Sequence, residues 1–157
     1  MISNSQSACV ADDAASNIWP GAMRLDEQTP HRILVAEDDM FVGVQYEDAL
    51  SEAGFEVLDI ATTAKEVIEI AQDQNPVLAI MDIRLAGSPD GVEAALEIYR
   101  RFGIRSIFAT AFSDPEVRAR AEPARPLAWL SKPVAYPRLV AAVRAALSEL
   151  EEEGKGN

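Results

Sequence analysis

This chain lacks nearly everything that marks a secreted, thiolate-metal or nucleic-acid-binding protein. Of its 157 residues one is cysteine and one is histidine, Cys9 and His31. A lone cysteine closes no internal disulfide and builds no thiolate metal site, which fits a reducing compartment. Lysine and arginine number 14 against 26 aspartates and glutamates, a formal net charge of -12. Neutralising a phosphate backbone takes clustered cations, so no nucleic-acid partner is expected. The close basic groupings, Arg100-Arg101 and Arg118 with Arg120, lie in helix-like segments and read as solvated faces. No apolar run approaches the roughly 20 residues of a membrane span. Residues 1–10 have neither the basic nor the apolar stretch of a secretory signal. No membrane partner is expected, and the expected location is the cytoplasm.

What the chain does have is an ordinary globular composition, 48% hydrophobic and 25% charged, at a length that suits one domain with a real core. Residues 1–29 are rich in Ser, Asn, Ala and Asp and are expected to be a disordered extension. Ile18 and Trp19 in it offer the sharper alternative of a docking segment. Residues 30–152 form the expected domain, and 153–157 a polar tail.

Within that domain strand and helix patterns alternate. Strands are expected over 33–36, 55–60, 77–81, 104–109 and 127–130. The first helix runs over 41–53 and is ended by Gly54. Thr63-Ala64-Lys65-Glu66 reads as a capping box opening the second, which turns Val67, Ile68 and Ala71 inward. A third covers 92–102 before Gly103. The fourth starts at Ser113-Asp114-Pro115-Glu116 and is short, because Pro123 and Pro126 follow. The last begins at Pro137 and carries Leu139, Val140, Val143, Leu147 and Leu150 on one face. Five strand–helix units imply an α/β fold, a three-layer doubly wound sheet of five parallel strands.

Four of those apolar runs end on residues that handle phosphate or magnesium. Ile33–Ala36 leads to Glu37-Asp38-Asp39, Val77–Met81 to Asp82, Ile107–Ala109 to Thr110, and Leu127–Ser131 to Lys132-Pro133. Ligands of open α/β sheets bind beyond the carboxyl ends of the strands. Asp39 best fits a helix N-cap, which leaves Glu37 and Asp38 to face the sheet edge. With Asp82 beside them, adjacent carboxylates repel unless a cation joins them. Mg²⁺ prefers such oxygen ligands. An Asp can also act as a nucleophile toward phosphate. A hydroxyl and an ammonium, Thr110 and Lys132, complete what a transferring phosphoryl group needs.

In these residues the chain resembles the CheY-like receiver domain of two-component response regulators, over about 33–150. The matching residues are Glu37-Asp38, Met81-Asp82-Ile83-Arg84-Leu85, Asp90-Gly91, Thr110-Ala111 and Lys132-Pro133. The resemblance implies a flavodoxin-like fold and phosphorylation of Asp82 by a histidine kinase or histidine phosphotransfer protein. It implies Mg²⁺ held by Asp38, Asp82 and the Arg84 carbonyl, with Glu37 acting through water. Thr110 and Lys132 would meet the phosphoryl group, and the Lys132–Pro133 bond would be cis. Thr110 and Trp129 would form the switch, Trp129 replacing the family's usual Tyr or Phe. Ala86 stands where the family usually has Pro. Phe108-Ala109-Thr110 also resembles the start of a motif in stand-alone alphaproteobacterial receivers, although that motif continues with Gly and here Ala111 follows. His31, at a strand's beginning after Pro30, reads as a surface residue rather than a relay histidine.

The expectation is therefore a single-domain signalling module that is not an enzyme beyond its own phosphotransfer and dephosphorylation. Its readout would pass to an unnamed downstream protein, with a phosphorylation-dependent dimer left open. Two alternatives stand beside it. A Mg²⁺-dependent phosphatase or phosphotransferase would want a second Asp at position 84, which is Arg. A phosphate-independent binding module would normally have lost Asp82 or Lys132, and both are present.

Overall fold

The computed structural model describes residues 29–156 apart from position 112. Nearly all of the expected extension 1–29, with Cys9, Ile18 and Trp19, lies outside the described residues. Five strands form one parallel sheet: β1 (Arg32–Ala36), β2 (Glu56–Ala61), β3 (Leu78–Met81), β4 (Ser106–Thr110) and β5 (Ala128–Ser131). Their order is β2-β1-β3-β4-β5, and every neighbouring pair is parallel. The helices are α1 (Met40–Glu52), α2 (Ala64–Gln74), α3 (Gly91–Phe102), α4 (Pro115–Ala121) and α5 (Tyr136–Lys155). Each expected element is present, with ends moved by a residue or two.

The period-2 alternation of strand side chains divides the core into two layers. Leu34, Ala36, Ala79, Met81 and Phe108 face one side, where Val67, Ala71, Val92, Ala95 and Ile98 meet them. Ile33, Val35, Leu78, Ile80 and Ile107 face the other, against Tyr46, Leu50, Leu139, Val143 and Leu147. Helices α2, α3 and α4 therefore cover one face, and α1 and α5 the other. Each large apolar side chain removed from water contributes roughly 1.5–3 kcal/mol.

Local chemistry sets the helix starts. Asp39 caps α1 by accepting from the Phe41 and Val42 N–H groups, as its place before the helix predicts. Asp90 and Asp114 cap α3 and α4 in the same way. Thr63 caps α2 by accepting from the Glu66 N–H, and Glu66 reaches back to the Thr62 N–H at 2.7 Å, the Thr62 hydroxyl at 3.0 Å and the Thr63 N–H. Helix α4 is short, and Glu122–Ala124 follow it as a 3₁₀ turn containing Pro123.

Packing adds to two expectations. The first residues of the expected polar tail, 153–155, are helical, since α5 continues through Lys155. The reason is a cluster invisible as a local pattern: buried Arg105 donates to Glu153 at 2.7 Å, Glu149 at 3.2 Å and the Arg125 carbonyl at 2.7 Å. Glu149 and Glu153 are one helical turn apart, so holding both extends the helix. Arg118 and Arg120 are exposed, as expected of a solvated face, and both also find partners. The Arg118 guanidinium lies 4.6 Å over the Trp129 ring, and Arg120 reaches both Asp90 carboxylate oxygens at 3.0 and 3.2 Å.

Candidate functional site

Sheet order and register assemble the site. The chain direction across the sheet reverses between β1 and β3, the position where open α/β sheets form a crevice. Ala36 pairs with Met81, so Glu37 and Asp82 leave adjacent strands side by side, and the Asp82 N–H donates to the Ala36 carbonyl at 3.0 Å. One carboxylate oxygen each from Glu37, Asp38 and Asp82 lie within 4.8 Å of one another. Glu37 and Asp82 are buried, whereas Asp38 is exposed.

Lys132 reaches this group from the other side of β4. Its N–H donates to the Thr110 carbonyl at 3.0 Å, and the Lys132–Pro133 peptide is cis. Its ammonium donates to Glu37 Oε1 at 2.6 Å and to Asp82 Oδ2 at 2.9 Å. Thus Glu37 is in direct contact with the lysine. Burial pushes the Glu37 carboxyl up to about 7, and the Asp82 charge adds to this, against the pull of Lys132 and of the Asp39 N–H. Burial lowers the Lys132 pKa, yet its bonds to Glu37 and Asp82 leave it raised overall. The ammonium bonds two of the three carboxylates, and this all-oxygen donor set suits a hard divalent cation.

The loop after Asp82 is fastened at several points. The Arg84 N–H donates to Asp82 Oδ1 at 3.2 Å, while the Arg84 side chain is exposed. Ile83 and Leu85 are buried, and the Ala86 N–H donates to the Thr62 carbonyl at 2.9 Å. That last bond anchors the loop at Ala86. Thr110 is buried at the end of β4. Trp129, half-buried, stacks on Phe108 with centroids 4.6 Å apart and planes 19° from parallel. It therefore sits between Phe108 and the Arg118 guanidinium.

Composition and periodicity did not single out the apolar surface beside the site. Gly43, Tyr46 and Leu50 form the buried stripe of α1, so Met40, Phe41 and Val44 fall outside it. Phe41 is 72% exposed, with Met40, Val44 and Tyr136 also open to solvent. A cavity of about 500 Å³ has Val42, Tyr46, Lys132, Pro133 and Tyr136 in its wall. The signal was available: Phe41 does not fit the i, i+3, i+7 spacing of the buried positions.

A sequence model of the response regulator receiver domain matches residues 33–144. The transcriptional regulatory protein PdtaR of Mycobacterium tuberculosis is 33% identical over 127 residues, 81% of this chain and 62% of PdtaR. The phyllosphere-induced regulator PhyR of Methylorubrum extorquens is 29% identical over 116 residues, 73% of this chain and 43% of PhyR. The chain thus spans only part of the length of these relatives. The chemotaxis protein CheY of Bacillus subtilis is 29% identical, over 75% of this chain and 98% of its own. Among solved structures, the signal receiver domain of a modulated diguanylate cyclase from Desulfovibrio desulfuricans superposes with a TM-score of 0.74 at 30% identity, covering 80% of this chain and 99% of that one. A CheY-like receiver domain protein from Methanospirillum hungatei gives the same TM-score at 28% identity and the same coverage.

Proposed function

The chain belongs to the response regulator receiver family, and on that premise we propose that it accepts a phosphoryl group on Asp82 from a histidine kinase or histidine phosphotransfer protein. The observation that carries this reading is the bridging of Glu37 and Asp82 by Lys132 at the sheet's crevice. A carboxylate oxygen of Asp82 forms the new bond to phosphorus as the bond to the donor histidine nitrogen breaks. The electron pair of that bond stays on the nitrogen. Mg²⁺ held by Asp38, Asp82 and the Arg84 carbonyl, with Glu37 acting through water, would supply positive charge to the phosphoryl oxygens. The Lys132 ammonium turns from the carboxylates to the phosphoryl group, and the Thr110 hydroxyl donates to it. Asp82 then carries the negative charge of phosphate where one carboxylate charge stood before.

Displacement of Thr110 toward that charge alters the end of β4, and Trp129 reports it through the neighbouring strand β5. The phosphorylated form hands its state to a downstream protein or passes the phosphate on, pairing with a second copy being one possible form of readout. The donor docks on the exposed apolar side chains Met40, Phe41 and Val44 at the start of α1, which follows directly on Asp38 and Asp39. On this reading the protein catalyses only its own phosphoryl transfer and hydrolysis, in the cytoplasm. Among the described residues no helix is long and apolar enough to cross a membrane.

The test is incubation with acetyl phosphate and Mg²⁺, followed by intact-mass measurement. One phosphoryl group should appear on the parent chain and none on Asp82→Asn. Labelling that persists undiminished in the variant overturns the assignment, and steady hydrolysis of a simple phosphomonoester would mark an enzyme instead. Phe41→Asp should slow transfer from a protein donor on the order of tenfold while leaving acetyl phosphate labelling unchanged.

A further inference from the structure

Two glycines in or next to the loop after Asp82 are needed for opposite reasons. Gly87 has φ +78 and nothing within 4 Å of where a Cβ would stand, so it is required by backbone conformation alone. Gly91, the first residue of α3, has no positive φ. What it lacks is room. A Cβ there would lie 1.8 Å from the Asp82 carbonyl oxygen, 2.8 Å from the Asp82 carbonyl carbon and 3.0 Å from the Ile83 Cα. All three are backbone atoms, so no rotamer change relieves the overlap. The Gly91 N–H holds the approach by donating to the Ile83 carbonyl at 2.7 Å.

Asp82 is thereby fixed from every side. Its N–H is bonded to β1, its carboxylate to Lys132 and the Arg84 N–H, and its carbonyl rests against Gly91. Ordinary carbon–oxygen contact is about 3.5 Å, so a methyl group at position 91 would drive the Asp82–Ile83 peptide aside by an ångström or more. The carboxylate is one side-chain carbon from that peptide and would move with it. We propose that Gly91 is a positioning residue for phosphate acceptance: by carrying no side chain it lets α3 abut the Asp82 carbonyl and so sets where the Asp82 carboxylate meets Lys132.

This rests on the reading of Asp82 as phosphoacceptor, and the experiment separates the two. Gly91→Ala and Gly87→Ala are compared with the parent chain for melting temperature, acetyl phosphate labelling and the ¹⁹F spectrum of beryllofluoride, a phosphoryl mimic. Both variants should melt lower, Gly87→Ala through strain and Gly91→Ala through overlap. At temperatures where each is fully folded, Gly91→Ala should label on the order of a hundredfold more slowly, the effect of misplacing a reacting group by about 1 Å. Its bound-beryllofluoride resonances should also shift or vanish. Gly87→Ala should keep parent-like labelling and resonances. Equal labelling by Gly91→Ala and Gly87→Ala overturns the proposal. So does failure of Gly91→Ala to fold even in trimethylamine N-oxide, which favours compact states, because the role would then be structural only. Absence of labelling in the parent would instead sink the phosphoacceptor reading.

Discussion

Charge gathers at both edges of the sheet, and the two gatherings are built in opposite ways. At the carboxyl edge Lys132 bonds Glu37 and Asp82, and Asp38 lies beside them. Before the start of β4, at the other edge, Arg105 and Arg125 face Glu149 and Glu153. In the first cluster one ammonium serves two carboxylates, while in the second two guanidiniums serve two. Titration reflects this. Burial, reinforced by Asp82, raises Glu37 to about 7. Burial also acts to raise Glu153, but Arg105 and Arg125 overcome it and hold that carboxyl below its usual value. A matched cluster stabilises the fold, here by joining the end of α5 to β4. An unmatched one weakens the fold and favours uptake of a cation.

The comparison can be broken in order of expected effect. Mg²⁺ should raise stability by about 2.7 kcal/mol at a hundred times its dissociation constant, read as a higher melting temperature. Loss of the carboxylate cluster in Asp38→Asn combined with Asp82→Asn should abolish that rise, and no rise in the parent chain would mean the surplus charge binds no cation. Next, Arg105→Leu should cost about 2 kcal/mol, since it leaves the Glu149 carboxylate and the Arg125 carbonyl without their donor and Glu153 with Arg125 alone. Denaturant unfolding measures this. Asp82 labelling should be unchanged, and a parallel loss of labelling would show that the two edges are not independent.

Asp38→Asn works in the other direction. Removing one of three crowded carboxylates should stabilise the chelator-treated protein by about 0.5 kcal/mol, and excess Mg²⁺ should cancel the gain. The smallest effect concerns pH. A carboxyl whose folded pKa is lowered contributes stability above its unfolded value of 4.5 and loses it as pH falls through the folded value. The melting-temperature difference between the parent and Glu153→Gln should therefore hold steady near neutrality and close below pH 4.5. A difference that widened in acid would contradict the pairing.

The carboxyl edge was far more legible in the sequence than the opposite one. Its residues follow four apolar runs, and a parallel sheet brings strand ends together whatever the loop lengths. The opposite cluster draws on positions 105, 125, 149 and 153, which share no motif, and only packing makes them neighbours. The same holds for Arg118. A surface arginine on a short helix gives no sign in sequence that it will cover Trp129. Gly91 was visible as half of an Asp-Gly pair, but not the reason for it, because the clashing atoms belong to Asp82, nine positions earlier.

The sequence by itself determined the alternation of strands and helices, the two-faced core and the identity of the groups at the strand ends. Those depend on side-chain period and local capping, which act over a few residues. Only the tertiary structure decided that Lys132 crosses β4 to bond Glu37 directly, that α5 runs on to hold Arg105, and that α3 begins against the Asp82 carbonyl. Each of these depends on contacts between segments far apart in the chain, and their geometry exists only once the sheet has set strand order and register.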